Sequence, residues 1–400
     1  MTTLKIRTRL LCVALLLQGA VAFAKDDLPA RYTDSGPEPL LARVFDHIAQ
    51  HRWDVALKET ESLVKAYPNF RLGHLIKGDL LMARTRPLSR FGEGGEKAAK
   101  DQVADLREEA IARLRAYRNK PDEKVVPRYL LQMRPDQKHA VVVDTQKARL
   151  YLYQNDNGTP RFVADYYIAH GKLGADKFKE GDKKTPIGVY HVTSSIPRQK
   201  LTDFYGSGAF PINYPNAWDR KQGRNGYGIW LHGTPSDTFS RPPKASDGCV
   251  VLANTDLDAL AKNLQIGTTP VIISNSIEWL SLDDWQTERT SLLTMIDEWR
   301  RDWESLDTDR YARHYAKNFS SDGKNLAAWV SQKKKVNAGK QWIKVKTDNI
   351  SMFRNPGRDD YVVVTFEQDY QSNNLSNRMQ KRQYWIKDDG RWKIMAEDAA

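Results

Sequence analysis

The stretch Leu231–Asn254, LHGTPSDTFSRPPKASDGCVVLAN, decides how the rest of the chain is read. It places His232 seventeen residues ahead of Cys249, which closes a Ser246-Asp247-Gly248-Cys249 turn and leads into an apolar run. A thiol that follows a glycine-containing turn can sit where backbone N–H groups converge, and a cysteine nucleophile with an oxyanion hole needs that arrangement. The thiol attacks as thiolate, so it needs a base or a field that lowers its pKa. His232, at the end of one predicted strand, supplies the base if that strand neighbours the one starting after Cys249. Gly248 lets a carbonyl approach closely, and the N–H groups of Gly248 and Cys249 are the candidate oxyanion donors. The Gly233 carbonyl can accept from the imidazole and fix its tautomer. Pro235, Pro242 and Pro243 stiffen the loop between the two residues.

The first 24 residues read as a cleaved secretory signal. Lys5, Arg7 and Arg9 precede an apolar run from Leu10 to Ala22, and Ala22-Phe23-Ala24 forms a small-x-small cleavage site. The run is shorter than the roughly 20 residues a membrane span needs, so no span is expected after cleavage. Taking those three basic residues from the 62 Lys and Arg leaves 59 against 50 Asp and Glu, a net charge of +9. In an exported protein this points to a polyanionic envelope surface more readily than to nucleic acid. Cleavage also removes Cys12, so Cys249 becomes the single cysteine of the mature chain. It is either a buried small hydrophobe or a reactive group, and its place in the turn favours the second. Metal binding is disfavoured, because His139, His170, His191 and His314 lack zinc-like spacing, and no cofactor is expected.

Along the chain, three regions separate. Residues 25–135 are expected to be helical: Leu41, Val44, Phe45 and Ile48, then Trp53, Ala56, Leu57 and Leu63 up to Pro68, then Leu72 to Met82, recur at helical spacing, and a charged amphipathic helix follows from Asp101 to Tyr117. The Trp53, Ala56–Leu57 and Pro68 signals resemble one tetratricopeptide-like hairpin, a unit suited to packing on the next domain or to docking a protein partner. Near Pro135 the period changes to 2, and residues 136–275 read as a mainly-β domain that opens with an antiparallel meander. Within it, Tyr205–Asn216, YGSGAFPINYPN, reads as a groove wall or lid, which makes Tyr205, Phe210 and Tyr214 substrate-binding candidates beside Ser246 and Asp247. Asn275–Asp284 reads as a linker. In residues 285–400, a helix carrying Trp285, Leu292, Ile296, Trp299 and Trp303 on one face precedes several β-type runs, the pattern of a separate α+β domain.

The segments GDKKTPIGVY, YGSGAFPINYPN, LHGTP and SDGCVVLAN together resemble the YkuD-type L,D-transpeptidase catalytic domain over about Lys138 to Ser274, and the order of the C-terminal elements resembles the NTF2-like cone fold. The resemblance implies a multidomain chain with a central β-sandwich-like catalytic domain, a periplasmic location and a peptidoglycan stem-peptide substrate. It assigns Cys249 as nucleophile, His232 as base and Gly233 as the orienting position. It also implies attack on the diaminopimelate carbonyl of a tetrapeptide, release of D-alanine, and transfer of the resulting thioester to an amine. Hydrolysis of that thioester instead gives an L,D-carboxypeptidase, and loss of activity would leave a murein-binding scaffold. The NTF2-like domain is a candidate surface for sacculus binding or homodimerisation. Two positions depart from the common family motif: Asp247 stands where a histidine is usual and Val251 where an arginine is usual. An acid beside the nucleophile disfavours the thiolate unless it pairs with a cation such as Lys244.

Overall fold

The computed structural model describes residues 36–93, 100–321 and 323–400. The expected signal segment and Cys12 lie outside the described residues.

Apolar residues at helical spacing form helices Glu38–Ala49, Trp53–Ala66 and Arg71–Ala83, and a fourth, Lys100–Arg118, packs back on the first and third. Leu41, Leu57, Leu63, Phe70, Leu72, Ile76 and Leu114 share one core, so the four helices close into a small bundle.

The middle of the chain is two sheets on a common core. The larger runs in the order Thr159–Tyr167, Arg149–Asp156, His139–Asp144, Pro270–Ser274, Gly188–His191, and its first three strands are the expected meander. The smaller runs Val250–Val251, Trp230–His232, Gly208–Pro211, Ile196–Pro197. Between them lie Val141, Leu150, Leu152, Phe210, Ile212, Leu231, Val250 and Ile273. Trp230–His232 pairs in parallel with Val250–Val251, Leu231 opposite Val250 and His232 opposite Val251. The strand ending in the histidine therefore neighbours the strand that begins after the cysteine.

The C-terminal region is a long helix, Leu282–Glu304, laid across a sheet of strands Ile343–Arg354, Tyr361–Ser372, Leu375–Asp388 and Arg391–Ala399. Trp285, Leu292, Ile296, Trp299 and Trp303 are all buried against that sheet, as the apolar stripe requires. A further helix, Leu326–Ala338, has a polar sequence whose periodicity gave no warning of it; it seats Trp329 against the aromatic core.

Two boundaries are corrected. The sheet has a fifth strand, Leu130–Gln132, which pairs with Ile343–Arg354 although it comes from the region expected to be helical. The expected linker is built structure: Ile277 is buried, Trp279–Ser281 pairs with Val125–Pro127, and the long helix starts at Leu282, capped by Ser281 Oγ accepting from Asp284 N at 3.1 Å. Three-residue strands carry too little periodicity to be read locally. Side chains lock this junction: Trp285 Nε1 donates to Leu130 O at 2.7 Å, and Glu288 accepts from Arg128 at 2.7 Å and Arg354 at 3.0 Å. Trp218 of the catalytic domain stacks on Tyr384 of the C-terminal sheet, ring centroids 4.3 Å apart. Trp285→Phe keeps the apolar ring but orphans the Leu130 carbonyl, so it should cost about 1–3 kcal/mol in chemical denaturation; an unchanged midpoint would show that this bond does not tie the strand to the helix.

Candidate active site

His232 is held at the end of its strand, buried, with the Tyr205 ring edge-on at 5.1 Å and the Phe204 ring tilted at 5.9 Å. Its Nδ1 lies 2.7 Å from Gly233 O. A carbonyl only accepts, so Nδ1 carries the proton and Nε2 presents a lone pair. Burial, opposed by that carbonyl bond and reinforced by the Arg241 charge, lowers the imidazole pKa to about 4. The ring is therefore neutral at pH 7, the state a general base needs.

Cys249 is half-buried, and its thiol donates to Gly228 O at 3.3 Å. Burial pushes the thiol pKa up; the Trp230 N–H and the charges of Arg241 and Lys177 pull it down, and Asp247 pushes it up again. At rest the two groups are thus a neutral thiol and a neutral imidazole and not an ion pair.

The turn itself is pinned from outside. Gly248 has φ +131° and a Cβ there would meet Lys184 O at 2.7 Å, so this position requires glycine. Thr185 Oγ1 donates to Gly248 O at 2.9 Å and accepts from Gly171 N at 2.9 Å, which gives the Thr185-Pro186 motif a role as a brace. Ser246 Oγ donates to Cys249 O at 2.6 Å and accepts from Gly248 N at 3.1 Å. Ser246 is consequently a buried strut inside the turn, and the Gly248 N–H expected to face an oxyanion is turned into that strut. Among the described residues, the Cys249 N–H is the donor of the expected pair that the turn leaves unused.

Other expected residues divide. Asp247 is exposed and pairs with Lys172 at 3.2 Å; Lys244, the cation expected for it, goes instead to Glu108 of the helical bundle at 3.6 Å. Tyr205 lies against His232 and Trp230. Phe210 and Tyr214 are corrected: both are buried in the core between the sheets, Tyr214 edge-on to Tyr190 and donating from its hydroxyl to Asn225 O at 3.0 Å. The Gly and Pro content of their segment suggested a surface lid, but alternate residues of a short strand point inward.

Sequence reasoning missed Asn254. Its Oδ1 accepts from Ser207 N at 2.9 Å and Thr234 N at 3.2 Å, and its Nδ2 donates to Thr234 O at 2.9 Å. One side chain thereby ties the Tyr205 segment to the loop after His232. Gly206 and Gly233 both leave room for it, since a Cβ at either would sit 2.1 Å from Asn254 Oδ1. The signal was present, an asparagine at a fixed offset from the cysteine, but its partners are distant in sequence. Also missed were Arg241 and the buried Lys177, whose charges act on the thiol.

In this β-sandwich the strand that ends in a buried, neutral histidine pairs in parallel with the strand that begins just after a half-buried cysteine, an arrangement that holds the residue types of a thiol–imidazole site. Residues 138–273 match the L,D-transpeptidase catalytic domain model, YkuD, and residues 291–398 match the Cds6 C-terminal NTF2-like domain model. Among solved structures it is similar to Bdellovibrio bacteriovorus Bd1075, at 28% identity and a TM-score of 0.60, covering 69% of this chain and 98% of that one. It is also similar to the helical cell shape determining protein Pgp2 from Campylobacter jejuni, at 27% identity and a TM-score of 0.58, covering 68% and 95%. No curated protein matches the chain. No helix among the described residues is long and apolar enough to cross a membrane.

Two outcomes follow from this geometry. NMR titration of His232 should give a midpoint near 4, so the base form persists down to about pH 5 and is lost below; a midpoint at the ordinary 6.5 would mean the ring is solvated. Asn254→Ala should lower stability by about 1–3 kcal/mol by orphaning Ser207 N and Thr234 N, with Asn254→Asp intermediate because it still accepts but cannot donate to Thr234 O; equal denaturation midpoints for all three proteins would remove Asn254 as the tie.

Proposed function

We propose that the chain is an exported, periplasmic cysteine L,D-transpeptidase acting on peptidoglycan tetrapeptide stems. The observation that carries the proposal is the pairing of the His232 and Cys249 strands inside the matched catalytic domain, with the imidazole tautomer fixed by Gly233 O. His232 Nε2 takes the Cys249 proton as Sγ attacks the carbonyl of the diaminopimelate residue. The oxyanion forms at the turn, within reach of the Cys249 N–H. Collapse breaks the C–N bond to the terminal D-alanine, whose amine leaves with the proton held by His232, and a thioester remains on Sγ. An amine from a second stem then attacks the thioester, giving up a proton to His232 and restoring the thiol.

Water in place of that amine gives a tripeptide and makes the enzyme an L,D-carboxypeptidase. At the two departures from the family motif, Asp247 is exposed and paired with Lys172 at 3.2 Å, and Val251 is buried beside Ala169. Similarity to a helical cell shape determining protein supports a role in cell shape, which either product would serve.

Incubation of the mature chain with purified tetrapeptide muropeptides, followed by mass spectrometry, tests this. Cross-linked dimers with loss of D-alanine are expected, and Cys249→Ala should abolish them. Tripeptides without dimers would assign hydrolysis; the absence of any Cys249-dependent product would leave the scaffold reading.

A further inference from the structure

The helical bundle does more than cover the catalytic domain, because it grips the loop that joins His232 to Cys249. Phe239 packs its ring against Tyr67 at 4.9 Å and Phe70 at 5.3 Å, and its N–H donates to Asn69 O at 3.2 Å. Asn69 Nδ2 donates to Ser236 O at 3.1 Å, and Ser240 Oγ donates to Glu109 Oε1 at 2.6 Å. The next residue is Arg241. Its own carbonyl accepts from Tyr167 at 3.0 Å, and the Tyr167 ring lies 3.8 Å from the Arg113 guanidinium of the bundle. Residues 236–241 are thus fixed from one side by the helices.

That grip aims Arg241 at the site. Its guanidinium sits 4.4 Å from the Phe204 ring centroid and donates through Nη2 to Phe204 O at 3.3 Å, and Phe204 is the ring 5.9 Å from His232. The Arg241 charge is felt at both His232 and Cys249. Among the described residues it has no carboxylate at ion-pair distance; the charge of Asp247, which is itself paired with Lys172, reaches it from farther away. A guanidinium offers five N–H donors, and one bond to Phe204 O leaves an edge able to take both oxygens of a carboxylate. Val251, where the family motif most often has an arginine, is 3% exposed and cannot supply this charge.

We infer that Arg241, set in place by the helical bundle, is the specificity residue that receives a carboxylate lying beside the bond Cys249 attacks. Under the proposed function, on which only the identity of this group rests, it is the terminal carboxylate of the D-alanine that leaves. The bundle is then part of the active site, because it supplies from the loop a cation that the strand after Cys249 does not carry.

The test uses two small alkylating probes of nearly equal shape, anionic iodoacetate and neutral iodoacetamide, on Cys249 of the full mature chain, so it needs no peptidoglycan. The ratio of iodoacetate to iodoacetamide rates should fall about fivefold to tenfold in Arg241→Gln, the scale of one partly screened charge pair, and Arg241→Lys should recover most of it. Phe239→Ala, which loosens the grip while leaving the charge, should lower the ratio partway. A ratio unchanged in Arg241→Gln, or both rates falling together, would overturn the assignment, since a merely structural role slows both probes alike. An unchanged ratio in Phe239→Ala would overturn the part given to the bundle. With tetrapeptide stems and their C-terminal amides, Arg241→Gln should also lose the preference for the free acid. A chain inactive on every stem would sink the proposed function, while the probe ratio would still decide Arg241.

Discussion

The buried guanidinium of Arg113 is the contact on which the arrangement of the first two domains depends. It is bound by Glu109 at 2.9 Å within its own helix and by Glu38 at 2.6 Å from the first helix, and it lies over the Tyr167 ring of the catalytic domain. Glu38 also reaches Arg149 at 3.3 Å, and Arg149 pairs with Asp165. Burial would raise the Glu38 pKa, but Arg113 and Arg149 outweigh it and hold the carboxylate below its usual range. A buried network of this kind adds little net stability over apolar packing, yet removing one member strands the rest, so it fixes one docking geometry against others. That geometry is what the loop from Pro235 to Lys244 inherits.

From there the constraint passes inward. The loop positions Arg241, the ring of Phe204 separates Arg241 from His232, and Asn254 ties the segment carrying Phe204 and Tyr205 to the backbone after the histidine. On the other side of the cysteine, Thr185 braces the carbonyl of Gly248 and Ser246 fills the turn. His232 and the turn carrying Cys249 are each placed by groups from several segments distant in sequence, the preorganisation that the proposed reaction requires. Burial favours the neutral forms of both His232 and Cys249.

The C-terminal domain is joined by a different device. Its sheet takes an edge strand from residues 130–132 and its long helix grows out of a strand that pairs with residues 125–127, so the domain is stitched to both sides of the catalytic segment. Trp218 on Tyr384 adds an aromatic clasp across the junction. Such stitching limits relative movement more than a flexible linker would.

Local pattern was enough for much of this. The helical stripes of residues 38–83, the meander after Pro135, the aromatic face of the long helix, and the histidine and cysteine themselves were legible because each depends on a repeat or a short turn motif that one segment carries alone. The short strands at residues 125–132 and 279–281 were not, since their hydrogen bonds are completed by partners over 100 residues away. Phe210 and Tyr214 looked like groove residues from their Gly- and Pro-rich setting, and only the packing of two sheets decided that they face the core. By itself, the sequence determined which chemistry is available: one thiol after a glycine turn, one histidine ahead of it. Asp247, two residues from the thiol, was legible as well; the tertiary structure alone decided which cations the thiol meets, because Arg241 and Lys177 come from separate loops and electrostatic influence falls with distance in space, not along the chain.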